Sequence, residues 1–171
     1  MAITFTNLSG PRENLDKTIR YLLEDNWSSS NTGGITPYFA SDTEEPDQLA
    51  RQDNTAINEI RINWARRERL DPDTFDVNGD DKHAWKQVLF IEVQGEDLNA
   101  MTLLEDEVQR ILWENRPNSG TRLNKSNGAA SEVAWFEEDE IEFERLEPES
   151  DIDQFPTSQA ELGLVYFKIK T

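Results

Sequence analysis

One stretch, WKQVLFIEVQGEDLNAMTLLEDEVQRILWEN at residues 85–115, constrains the rest of the chain more than any other. Val88, Leu89, Phe90, Ile91 and Val93 form a dense apolar run that stops at Gly95. Leu98, Met101, Leu104, Val108, Ile111 and Leu112 then recur at helical spacing, so the period changes from 2 to 3.6. The pattern predicts a central strand over 85–94, followed at once by an amphipathic helix that ends near Asn115, ahead of Pro117. Asp97 is the expected N-cap, Glu96 and Asp97 suit the positive end of the helix dipole, and Arg110 and Arg116 lie toward the negative end. Burying those six helix side chains contributes on the order of 10 kcal/mol before entropy, at ~1.5–3 kcal/mol each. The helical face carries no spare polar position, which marks it as scaffold.

The remaining elements are shorter. Ser9-Gly10-Pro11 reads as a helix start, with Leu15, Ile19, Leu22, Leu23 and Trp27 on one face, giving a first helix over 11–26 that SSSNTGG ends. Residues 35–40 read as a strand in which Pro37 points to an edge position. A clearer strand spans 56–66, with Ile60, Ile62 and Trp64 expected inward and Glu59, Arg61 and Asn63 outward. Residues 66–83 are expected to form a long loop or a flexible hairpin tip. Another strand is expected over 132–145, with Ala134, Phe136, Ile141 and Phe143 in step, and a last one over LGLVYFKIK after the loop EPESDIDQFPTSQ. The order α-β-β-β-α-β-β predicts an α+β fold: a mixed or largely antiparallel sheet with two helices packed on it and long polar loops. Residues 1–171 read as a single domain, with 1–10 as an N-terminal arm or edge strand.

Composition removes several classes of function. The chain has no cysteine, which excludes disulfides, thiolate metal sites and a Cys nucleophile. It shows no signal-peptide pattern and no apolar run near the ~20 residues that span a bilayer, so a soluble intracellular protein without membrane partners is expected. The 35 acidic and 17 basic residues give a net charge of −18, which repels DNA phosphates and anionic lipid. These carboxylates are spread along the whole chain, as in proteins of salt-loving organisms. In molar salt the Debye length falls to ~3 Å, which relieves the mutual repulsion of surface carboxylates.

Chemistry-bearing motifs are sparse. In DPDTFDVNGDD, Asp76, Asn78 and Gly79 match the third, fifth and sixth places of a calcium loop, but that register puts Thr74 first and Trp85 twelfth. Two essential ligands are missing, and a polar turn on Asn78-Gly79 is the simpler reading. The single histidine, His83, lacks the sequence context of a catalytic triad and reads as a surface loop residue. Gly33-Gly34 has no following Lys and reads as a turn. The run Glu137, Glu138, Asp139, Glu140 is a solvated face. Arg66, Arg67 and Arg69 cluster in an otherwise acidic chain, where they either pair with Asp71 and Asp73 or anchor an acidic patch on another subunit. With Asp76, Asn78 and His83 they form the expected subunit or partner interface. No catalytic, cofactor or metal residue is assigned, and an enzyme is not expected.

In length and layout the chain resembles the tail-terminator and tail-completion (neck) proteins of tailed viruses. The resemblance runs over residues 11–171: the N-terminal helix, strands around 35–39 and 57–64, the unit VLFIEVQGEDLNAMTLLEDEVQRILWEN, and two closing strands ending in LVYFKIK. It implies a structural virion protein, assembled in the host cytoplasm as a homo-oligomeric ring, typically a hexamer. Such a ring terminates the tail tube, joins it to the neck or connector proteins and lets DNA pass without sequence-specific binding. The acidity then implies a virus of a haloarchaeal or other halophilic host. Loops at 41–54, 70–83 and 117–130 are the expected docking surfaces. Two other classes are an acidic DNA-mimic or protein-interaction inhibitor, and a carboxylate-metal hydrolase using His83.

Overall fold

The computed structural model describes residues 15–42, 57–69, 82–117, 123–124, 132–133, 135–137, 140–147 and 155–169. Two helices, α1 (Leu15–Asn26) and α2 (Leu98–Glu114), pack on a mixed sheet. The strands are β1 (Tyr38–Ser41), β2 (Glu59–Arg69), β3 (Lys82–Gln94), β4 (Leu123–Asn124), β5 (Glu132–Val133), β6 (Trp135–Phe136), β7 (Glu144–Arg145) and β8 (Thr157–Ile169). The main sheet runs β1-β2-β3-β8-β6, with β7 also paired to β8, while β4 and β5 form a separate two-stranded ladder. Among the described strands, only the β1-β2 pairing is parallel. The fold is α+β, as the element order predicts.

Strand alternation sorts the sheet into two faces. Ile60 and Ile62 of β2 lie opposite Val93 and Ile91 of β3, which lie opposite Ser158 and Ala160 of β8; Leu89 faces Leu162. This face is buried under Leu15, Ile19, Leu22 and Leu23 of α1 and Met101, Leu104, Val108, Ile111 and Leu112 of α2, in one apolar cluster. The expected face of α1 is thus the observed one. Residues 11–14 of the first predicted helix lie outside the described residues.

The turn from β3 into α2 depends on close approach. A Cβ on Gly95 would sit 2.4 Å from the Met101 backbone nitrogen and 2.9 Å from the Asp97 carbonyl oxygen, so no larger residue fits without displacing the helix start. Asp97 caps α2, its Oδ1 accepting from the Ala100 N–H at 2.8 Å. Asn115 closes the helix, its N–H donating to the Ile111 carbonyl at 3.0 Å. After α1, a 3₁₀ turn (Ser29–Thr32) leads into Gly33 and Gly34, both at positive φ, which redirects the chain toward β1.

Several sequence expectations are corrected. The first strand begins at Tyr38, not at residue 35, because the Ile35 carbonyl is engaged by Trp27 Nε1 and Thr32 Oγ1. Pro37 therefore precedes the ladder, and β1 does lie at the sheet edge. Trp64 shares the covered face but is 39% exposed. The last β1-β2 pair is Ser41 with Ile62, so Trp64 is paired with Leu89 of β3 but has no strand on its β1 side, where its N–H donates to Asp42 Oδ2 at 2.8 Å. Leu98, the first residue of α2, is 50% exposed at the end of the sheet. The segment 66–69 and His83, expected in a loop, belong to β2 and β3, and 157–159, expected in the last loop, opens β8. Of the strand expected over 132–145, β5, β6 and β7 are described as strand, and between the last two Ile141 enters the core; residues 134 and 138–139 lie outside the described residues.

Candidate functional site

Away from the helices, the second sheet face is charged. Arg61, Asn63, Arg66 and Glu68 of β2, Lys86, Phe90 and Glu92 of β3, and Glu161 of β8 share it by register. Arg66 Nε donates to Glu68 Oε1 at 2.7 Å and its Nη2 to Glu161 Oε1 at 3.3 Å. Lys86 Nζ lies 3.5 Å from Glu68 Oε2 and 2.9 Å from Glu137 Oε2. Glu161, Arg66, Glu68, Lys86 and Glu137 thus form an alternating row from β2 to the residue after β6. Arg61 is held by Glu59 at 3.2 Å and Asp42 at 3.8 Å. Hydrogen bonding to Arg66, with the Lys86 charge nearby, lowers the Glu68 carboxyl pKa, and the Glu137 hydrogen bond raises that of Lys86. Arg61, Arg66 and Lys86 on this face are thus each engaged by carboxylates. Val88 and Val165, on the same face, are buried.

A second polar arrangement lies inside the helical layer. Glu107 is 2% exposed on the core-facing stripe of α2, one turn from Leu104 and from Ile111. Its Oε1 accepts from the Ser28 N–H at 3.0 Å and from Arg110 Nη2 at 2.5 Å; its Oε2 accepts from Asn31 Nδ2 at 2.9 Å and Arg110 Nε at 3.0 Å. Arg110 also reaches the Asn26 carbonyl at 3.0 Å and Glu114 at 2.6 Å. Burial opposes the Glu107 charge, but the hydrogen bonds from Arg110, Asn31 and Ser28 outweigh it and hold the pKa below the usual carboxylate value. The pair clasps the end of α1 and the 3₁₀ turn to α2, a structural role. The helical face, read from the sequence as free of spare polar positions, therefore carries one; its sequence signal was an acid on the apolar stripe three residues before an arginine.

Between the second half of α1 and the approach to β1 lies a cavity of about 320 Å³, lined by Arg20, Glu24, Trp27, Tyr38 and Phe39 among others. Trp27 and Phe39 meet edge to face at 5.4 Å, and Arg20 and Glu24 pair at 3.7 Å. Among the described residues, no three of His, Asp and Glu converge as metal ligands would, and no helix is long and apolar enough to cross a membrane.

Among the predicted interface residues, strand alternation sets Arg66 and Arg67 on opposite faces of the sheet. Arg66 joins the charged face; Arg67, next along β2, faces the other side, opposite Gln87, with its guanidinium carbon 5.5 Å from the Trp85 ring centroid. Arg69 pairs in register with Trp85, and His83 with Lys168. Asp76 and Asn78, with the calcium-loop reading, lie outside the described residues, as do Asp71 and Asp73. Sequence reasoning missed Glu107 and Gln87, the latter buried on β3 with its Oε1 accepting the Leu15 N–H at 3.1 Å. Neither a family model nor a curated protein matches the chain.

Proposed function

We propose that this chain is a ring-forming structural subunit of the tail-terminator or tail-completion kind, joining a tail tube to the neck of a virion and letting DNA pass through its lumen. The observation that carries this reading is the division of the sheet. Both helices pack on one face, and the other presents rows of carboxylates whose interleaved cations are already engaged. A wall of that character repels phosphate weakly and holds none of it, which is what passage requires. An acidic DNA mimic needs an unbroken row of carboxylates, and here Arg61, Arg66 and Lys86 interrupt the row. The net charge of −18 supports a halophilic setting, and self-association is expected to need molar salt. The virion address, the hexameric form and the tail-tube and neck partners rest on the resemblance in length and layout.

Light scattering in 2 M KCl tests the reading: a discrete closed oligomer is expected, with rings in electron micrographs. A strictly monomeric species at millimolar concentration would overturn it.

A further inference from the structure

Six large apolar side chains stand exposed among the described residues, and four of them, Ile57, Leu98, Leu146 and Phe155, belong to segments at one end of the sheet. The Gly95 N–H donates to the Pro156 carbonyl at 3.1 Å, and the Leu146 N–H to the Thr157 carbonyl at 2.8 Å, which places the start of β8 and the end of β7 beside the start of α2. Leu98 heads the helical stripe whose Glu105 accepts from Ser158 at 2.5 Å and whose Gln109 donates to the Ile141 carbonyl, so it overhangs that corner. Ile57 extends the rim across the sheet, its carbonyl accepting from Gln94 Nε2 at 2.8 Å. Glu96, Asp97, Glu144 and Glu147 are exposed around it, with Arg145 the one cation among these five. At the far end of α2, Trp113 is 58% exposed, and the Arg116 guanidinium carbon lies 5.8 Å from its ring centroid. A 17-residue helix separates the two surfaces by ~25 Å.

We infer that these surfaces are the two halves of one head-to-tail contact between copies of this chain. Trp113 of one copy seats on the rim of Leu98, Leu146 and Phe155 of the next, and Arg116 lies among the rim carboxylates. The inference rests on the ring reading above and names the surfaces that close it. Trp and Arg are the residue types that most often anchor interfaces, and grouped apolar exposure on a polar chain marks a contact. Charge complementarity selects the occupant: rim against rim would press four carboxylates of each copy together, whereas the Trp113 end brings Arg116, and its one neighbouring carboxylate, Glu114, is paired with Arg110 at 2.6 Å. The helix dipoles of successive copies also run head to tail. Such a heterologous contact produces a ring when its rotation closes.

Trp113→Glu and Phe155→Glu test the contact, since both side chains are exposed and circular dichroism verifies that each variant folds. In 2 M KCl each variant alone is expected to fall to the monomer mass. Their equimolar mixture is expected to give a heterodimer, because one intact Trp113 end still meets one intact rim. A wild-type mass retained by either variant, or a mixture that stays monomeric, overturns the contact while leaving the ring reading standing; a monomeric wild type removes both. The chain has no cysteine of its own, so a double variant with Glu96→Cys and Arg116→Cys, which keeps Trp113 and the apolar rim, gives a second readout. Diamide is expected to convert it to a covalent ladder while each single-cysteine variant stops at dimers, and absence of the ladder counts against the contact even if the glutamate variants fail to fold.

Discussion

Glu107 and Arg110, one helical turn apart on α2, form a two-pronged ion pair in which Arg110 donates to both carboxylate oxygens, at 3.0 and 2.5 Å. The carboxylate is almost fully buried and also holds Ser28 and Asn31, so one side chain ties the segment after α1 to the second helix. Glu107→Gln removes the charge and leaves Arg110 facing an amide. The expected loss is roughly 1.5–3 kcal/mol, the range for hydrogen bonds to charged groups, read as a lower denaturant midpoint with unchanged slope.

The same carboxyl predicts a pH dependence. Its folded pKa lies below its unfolded value, so the native state holds fewer protons there and the clasp contributes fully above the unfolded value of ~4.3. That contribution is lost as pH falls through the lower folded value. Thermal melts between pH 7 and pH 3 are expected to show a smaller acid-induced drop for Glu107→Gln than for wild type; equal drops would remove Glu107 from the account.

Gly95→Ala is expected to destabilise the chain by at least ~1–3 kcal/mol, the overpacking range. The added methyl meets the Met101 and Asp97 backbone, which cannot rotate away as a side chain could. A melting temperature within a degree of wild type would show that the β3-α2 turn opens more easily than its geometry implies.

Asp97→Ala removes the acceptor for the Ala100 N–H and is expected to cost ~1 kcal/mol, with Asp97→Asn retaining most of it. Urea titration of the three proteins separates capping from charge: an asparagine variant as weak as the alanine one would assign the effect to charge at the helix start.

Salt dependence follows from the charge of −18. Raising KCl from 0.1 to 2 M screens both the internal ion pairs and the net repulsion. With 35 acidic residues against 17 basic ones, repulsion is the larger effect. The melting temperature is expected to rise by more than about 4 °C, equivalent to ~1–2 kcal/mol at this size; an unchanged value would count against the halophilic setting.

Much of the scaffold was legible because its signals are local. The burial stripe of α1, the strand-to-helix switch at Gly95, the Asp97 cap, the stop at Asn115 and the edge position of the Pro37 segment each depend on a few neighbouring residues. The candidate surfaces were less legible. Arg66 and Arg67 look like one cluster in the sequence, yet strand alternation sends them to opposite faces. Trp64 keeps step with Ile60 and Ile62, but β1 has ended beside it, and the register shifts between it and Arg66.

The amino-acid order alone determined where period, caps and glycines place the central strand and its helix, since those preferences act within one or two turns of chain. Tertiary structure alone decided that Glu107, an acid on an apolar stripe, finds its partners 76 and 79 residues away in Asn31 and Ser28. It also decided that Leu98, patterned for burial, lies half exposed at the end of the sheet. A side chain's burial depends on what packs above it, and the segment that does so is set by sheet order and strand length, which no local period encodes.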